Sequence, residues 1–408
     1  MRSNTANPTT KPVSASMPAA ARTVFALLHR LEVGSLTVQL PDGSVQRFGQ
    51  QDQPHATLTL HNWKPLSAAL QSGDIGFAES YIAGDWASSN LTDLLRLLIR
   101  NRAVIDRAIF GSWWGVALYR IKHLLKRNTR GNSKKNIHAH YDLGNSFYTL
   151  WLDESMNYSS ALFGGDLARS TTDAQNAKVR RALTEVEAGS GQRILEIGCG
   201  WGALAEMAAR DFGARLSGVT LSTEQLDFAN QRMQRLGISE KVDLRLQDYR
   251  DIDDGPFDAI CSIEMLEAVG QEYWPTYFQT LARLLKPGGR ACVQSIVIAD
   301  GLFERYLRNT DFIQQYIFPG GCLPSPSALR AQAQAAGLEV VNELAFGHDY
   351  AETLKRWRTA FLERRVDVLA GGFDQRFMHI WEFYLAYCEA GFAEDNLDVL
   401  QVTLRKPA

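Results

Sequence analysis

From Ile194 onward the chain alternates between short apolar runs that fit strands and stretches with helical spacing. "RILEIG" leads into a helix over 201–212, and "RLSGVT" into one over 223–236. "VDLRLQD" and "FDAICSIE" follow, then a helix over 272–285 and the strand "GRACVQSIVI". Connections of that kind join parallel strands. The pattern therefore predicts an α/β fold: a mainly parallel, doubly wound sheet with helices on both faces. "LKPGG" (285–289) reads as a helix stop and a turn ahead of the next strand. Beyond residue 300 come further helical stretches, a strand candidate in "LEVVNELAF", two long aromatic helices and a closing strand in "LDVLQVTLRK".

The earlier part of the chain is built differently. Residues 1–20 are rich in Ser, Thr, Pro and Ala and are expected to be a disordered lead-in. "SLTVQLPDGSVQRFG" alternates around Pro41-Asp42-Gly43, a hairpin signal, and "ATLTLHN" is a further strand. Helical spacing then runs through "LTDLLRLLIR", so residues 21–105 are expected to form a small α+β domain. Residues 106–138 carry an apolar stripe (Phe110, Trp114, Leu118, Ile121, Leu125) beside Arg120, Lys122, Lys126, Arg127, Arg130, Lys134 and Lys135. Such a segment suits a helix lying in an anionic lipid surface, or an amphipathic helix packed on its own protein ahead of a solvated basic linker. Residues 139–408 hold the α/β domain.

Charge narrows the partners. Lys plus Arg (43) nearly balance Asp plus Glu (45), so no nucleic-acid partner is indicated and any basic feature is local. The cysteines Cys199, Cys261, Cys292, Cys322 and Cys388 are scattered, which points to neither a metal site nor a disulfide framework. A cytoplasmic setting is the expectation, without a signal peptide or a membrane span.

The chemistry starts at "EIGCGWG". Glycines at the carboxyl end of a first strand let backbone approach a ligand and aim the next helix at it. A dinucleotide fold would read G-x-G-x-x-G, whereas here Glu196, Gly198, Gly200 and Gly202 give E-x-G-x-G-x-G. An acid at the strand end is awkward beside a diphosphate but suits an ammonium and a sulfonium, which favours S-adenosylmethionine. "GVTLSTEQ" places Thr220, Leu221 and Gln225 at the end of the second strand, near the ribose and the methionine end. "LQDYRD" places Gln247 and Asp248 at the end of the third, near an adenine amine. Thr220 stands where the commonest methyltransferase pattern has an acid.

Taken in order, "HYDLGNSFYTLWLDESMNYSSALF" (140–163), "LEIGCGWG", "GVTLSTEQ", "QDYRD", "EMLEAVG" (264–270) and "YIFPGGCLPS" (316–325) resemble the cyclopropane-fatty-acyl-phospholipid synthases and the related mycolic acid methyltransferases. The likeness runs from about His140 to the C-terminus. It extends more loosely to "GDIGFAESYIAGDW" (73–86), in a region like the small extra domain of the phospholipid enzymes. The resemblance implies a Rossmann-like class I methyltransferase that uses S-adenosylmethionine on the double bond of unsaturated acyl chains in phospholipids. It implies association with the inner face of the membrane, and leaves a homodimer open.

The alkene would attack the sulfonium methyl, and a base would remove a proton from the new methyl so that a three-membered ring closes. In the family that base is a bound bicarbonate. Carried over by motif, its holders are Ser160, Glu267, Gln294, Ile296 and Tyr350. Ser160 stands where the family has Cys, Gln294 where it has His, and Ala268 replaces the His of "MFEHVG". Serine and glutamine still offer hydrogen bonds, but the imidazole is lost. Ring closure is thereby separated from methyl transfer: a cyclopropane is the first expectation, and a methyl-branched, methylenated or furan-precursor chain the alternative. Tyr158 and Ser159 match positions that touch the cofactor. Cys388 matches a cysteine of the phospholipid enzymes, and reads either as a family-flagged site or as a buried core thiol. His140 and Asp142 read either as catalytic groups or as helix-start and packing groups.

Overall fold

The computed structural model describes residues 17–50, 54–109 and 143–408. Most of the expected lead-in, most of the basic segment, and His140 and Asp142 lie outside the described residues.

Two sheets organise the chain. The first has the order β2-β1-β3-β4 (β1 Ser35–Gln39, β2 Val45–Phe48, β3 His55–Leu60, β4 Trp86–Ala87). The hairpin is where the sequence placed it: β1 and β2 pair antiparallel, and the Leu40 amide donates to the Ser44 carbonyl across the turn. Helix Leu91–Arg100, capped by the Asn90 side chain, packs on β3.

The second sheet comprises β5 (Arg193–Ile197), β6 (Arg215–Thr220), β7 (Val242–Leu246), β8 (Phe257–Ile263), β9 (Leu285–Ile298), β10 (Glu339–Ala345) and β11 (Leu397–Arg405). Its order is β10-β11-β9-β8-β5-β6-β7. β5 pairs parallel with both β6 and β8, and only β11 runs against the rest, pairing antiparallel with β9 on one side and β10 on the other. Ile194 and Leu195 of β5 are both buried, as expected of a strand covered on two faces. The chain leaves β5 for β6 and β7 on one side, then crosses back to β8 on the other. Ligands bind outside the carboxyl ends of strands at such a switch point.

One expectation fails locally. "LKPGG" is no turn before the strand, because β9 begins at Leu285, directly after the helix Trp274–Leu284. Leu285 pairs with Phe257 and Arg290 with Ala259, so the residues between them form a bulge within the ladder. Gly288 supplies the positive φ (77°) that this bulge needs.

The long helix Gln375–Ala393 joins the two parts. Its Phe383 and Leu385 belong to one continuous apolar core with Phe25, Leu58 and Leu95. Thr92 donates to Glu389 at 2.9 Å, while Arg96 and Arg100 both reach Glu394, at 2.7 and 2.6 Å. The small sheet thus has no separate interior.

Candidate active site

On the β5 side of the switch point, Gly198, Gly200 and Gly202 have φ of 85°, 48° and 85°. A Cβ on Gly198 would meet Met265 at 3.0 Å, and one on Gly202 would meet Ala229 at 3.1 Å. One on Gly200 would meet nothing within 4 Å. The turn is therefore packed at its flanks and open at its middle. Glu196 is buried beside it, and burial pushes its carboxyl up; Oε2 has no hydrogen-bond partner among the described residues. An unpaired buried acceptor next to an open glycine cradle suits a ligand that brings donors and positive charge.

Thr220 donates to Gln225 at 3.1 Å and accepts from the Ser222 amide at 3.2 Å, which bends the chain at Leu221. Gln247 and Asp248 do end β7, but their side chains bind their own loop. Gln247 donates to the Asp251 carbonyl at 2.9 Å, and Asp248 accepts from the Arg250 guanidinium at 2.8 Å and its amide at 3.0 Å.

The end of β8 carries a different device. Glu264 has φ 50°, a left-handed conformation unusual for a residue with a side chain. Its Oε1 accepts from the Ser160 amide (2.8 Å) and the Gln294 amide (2.8 Å), and its Oε2 from the Tyr350 hydroxyl (2.8 Å). Gln294 is aimed by a row of partners: Gln401 donates to its Oε1 at 2.9 Å, and Arg181 donates to Gln401 at 2.6 Å. Burial raises the Glu264 carboxyl above its ordinary range; the Lys178 charge and the three donors pull the other way.

Lys178 is a fully buried cation on the helix Thr171–Glu185, donating to Ser159 Oγ and to Asn157 at 3.3 Å. Burial lowers its pKa to about 8. Ser159 also accepts from Gln175 through its carbonyl, and Tyr158 shares a 2.8 Å hydrogen bond with Tyr384.

Three residues on, Glu267 accepts from the Ile296 amide through Oε1, while Oε2 has no partner among the described residues. Burial, and then the Glu264 charge, push it to about 8. Two neighbouring carboxyls with such different donors divide the charge unequally: Glu264 is the better anion, and Glu267 keeps its proton near neutral pH.

Comparison with known proteins gives the family. The family described as mycolic acid cyclopropane synthetase matches residues 128–402. The chain belongs to that family. A tuberculostearic acid methyltransferase, UfaA1, from Mycobacterium tuberculosis is 37% identical over 95% of this chain and 92% of its own length. The cyclopropane-fatty-acyl-phospholipid synthase of Escherichia coli K12 is 31% identical over 90% of this chain and 95% of its own. The crystal structure of mycolic acid cyclopropane synthase CmaA1 complexed with SAH and CTAB superposes with a TM-score of 0.63 at 30% identity, covering 67% of this chain and 98% of that one. The protein is an S-adenosylmethionine-dependent methyltransferase. Glu196 and the open Gly200 cradle fit that donor, which when bound supplies an electrophilic methyl group.

The bicarbonate that the family resemblance implies does not fit the same way. Its expected holders are here, but they already hold the chain's own carboxylates. The Ser160 amide, Gln294 and Tyr350 hold Glu264, and the Ile296 amide holds Glu267. The Ser160 hydroxyl, expected to take over from a thiol, donates instead to the Ala161 carbonyl at 3.0 Å. Cys388 lines the cavity described next, and burial pushes its thiol up, so at neutral pH it is a protonated wall group.

A cavity of about 520 Å³ opens from these carboxyls, a size usual for ligand sites. It starts at Glu264, Glu267 and Tyr158, passes Phe318, Tyr384 and Phe392, and continues to Leu58 and Leu95 near the small sheet. Among the aromatic residues, Tyr306, Phe318 and Tyr384 line it, whereas Trp357 and Phe361 are buried in the core. Sequence reading missed Glu264, Lys178, Arg181 and Gln401. Two of them left a signal. Glu264 is an acid closing an apolar strand, the same cue that marked Glu196, and Gln401 is a lone amide between the buried Leu400 and Val402.

Proposed function

We propose that this enzyme adds the methyl carbon of S-adenosylmethionine to the double bond of an unsaturated acyl chain carried on a phospholipid. The observation that supports this most is the cavity: a mostly aliphatic and aromatic passage leads away from paired carboxyls and has room for a hydrocarbon tail. An alkene is a weak nucleophile that needs no base to attack, so the site's polar groups serve the later step. Attack leaves positive charge on the acyl chain. The faces of Tyr158, Tyr384 and Phe392 stabilise that charge, and the apolar walls keep water from trapping it. Loss of a proton from the new methyl then ends the reaction.

The product we propose is open-chain, a methylene branch. The 37% identity to UfaA1 over nearly the full length, together with Ser160, Gln294 and Ala268 at changed family positions, supports that outcome. Ring closure is the second reading, supported by the 31% match to the Escherichia coli synthase. Incubation of purified enzyme with labelled donor and unsaturated phospholipid, followed by mass and NMR analysis of the acyl chains, separates the two. Cyclopropane protons would overturn the open-chain product, and no labelled lipid at all would overturn the function. We further propose that the enzyme works at the cytoplasmic membrane surface through its basic segment. Co-flotation with anionic vesicles at low salt, weakening as salt rises, is the expected result.

A further inference from the structure

We propose that Glu264 is a built-in replacement for the exogenous acid anion, the base that takes the proton after methyl transfer; this rests on the function proposed above. Three independently placed donors converge on its carboxylate: a main-chain amide, a side-chain amide and a phenol. They come from the loop before helix Thr171–Glu185, from β9 and from the helix Gly347–Glu363. Such a nest would hold any small oxyanion, and here the chain supplies the oxyanion itself. The backbone is bent to do so. Glu264 is held at φ 50°, where a glycine would be free of strain, and its amide is tied to the Gln294 carbonyl at 2.8 Å. The carboxylate also lines the acyl cavity.

The step balances without any further reactant. A C–H bond of the newly added methyl breaks, and its electron pair forms the carbon–carbon bond that discharges the acyl cation. That bond is a C=C when the charge has moved by hydride shift onto the methyl-bearing carbon, and a ring bond when it has not. The proton passes to Glu264, which later returns it to solvent. Glu267, protonated near neutral pH, does not compete for it. Gln294 acts as a positioning residue through its bond to Glu264.

The test compares wild type, Glu264→Gln and Glu264→Gly in buffer freed of carbon dioxide, with and without millimolar bicarbonate. Wild-type turnover is expected to be indifferent to bicarbonate. Glu264→Gln fills the nest with a neutral group and should lose roughly 10²–10⁴-fold in turnover, with or without added anion. Glu264→Gly empties the nest and should lose a similar factor, partly restored by bicarbonate. Bicarbonate should also raise the melting temperature of Glu264→Gly and leave that of wild type unmoved, a readout that needs no substrate. Wild-type turnover that falls on removing bicarbonate, wild type thermally stabilised by bicarbonate, or Glu264→Gln turning over within about threefold of wild type would each overturn the assignment. Wild type that methylates no unsaturated lipid would instead overturn the proposed function, and the melting arm would still decide the role of the nest.

Discussion

Gly200 and Glu264 share a positive φ, 48° and 50°, in the loops after the neighbouring parallel strands β5 and β8. At one, the left-handed bend carries no side chain, and open space lies where a Cβ would point. At the other it carries a carboxylate wrapped by three donors. In the mechanism proposed above, one bend admits a ligand and the other supplies one. A left-handed φ at two strand ends can therefore serve opposite purposes, and the side chain tells them apart.

Beyond the bicarbonate test, substitutions can break or sharpen this contrast. The largest effect is expected from Gly200→Val. A β-branched side chain at that φ adds strain of roughly 1–3 kcal/mol and fills the cradle. Donor affinity measured by calorimetry should fall by about 10–100-fold or more, and unchanged affinity would show that the turn does not face the donor.

A smaller effect is expected from Gln401→Leu, which leaves Gln294 without the donor that aims it. Turnover should drop roughly tenfold in kcat with KM little changed, and stability should fall by about 1–3 kcal/mol. A stability loss with normal kcat would make the Arg181–Gln401–Gln294 row purely structural.

The smallest effect concerns Glu267. Its folded pKa of about 8 lies above the ordinary 4.5, so between those values the folded protein holds a proton that the unfolded chain has released. Its contribution to stability is present at low pH and declines as pH climbs through that window. The melting temperature of wild type relative to Glu267→Gln should therefore fall from pH 5 to pH 8. A difference that stays flat would place the shared proton elsewhere.

The donor half of the site was legible in the sequence because it is local. Glu196 and the glycines lie within one strand and one turn, and their spacing carries the chemistry. The fold was legible for the same reason, through alternation and hairpin signals, and the bulge at "LKPGG" was misread because proline and glycine punctuate bulges as well as turns. The acceptor half was not legible. Ser160, Glu264, Gln294, Tyr350 and Gln401 come together only through the order of the sheet and the docking of the helix Gly347–Glu363. Resemblance found three of these five contributors, Ser160, Gln294 and Tyr350, but not the carboxylate that they hold. Lys178 shares a face with Ala174 and Ala182, which marks burial, but a lysine on a helix this rich in polar residues reads by default as a solvated charge.

The passage lined by Leu58, Leu95 and Tyr384 runs through the same apolar mass that fastens the small sheet to the large one. A hydrocarbon tail threading it would act as mortar between the two halves as well as cargo. Changes that retune which tail lengths are accepted should therefore also alter how firmly the halves adhere, so that substrate preference and mechanical integrity drift together.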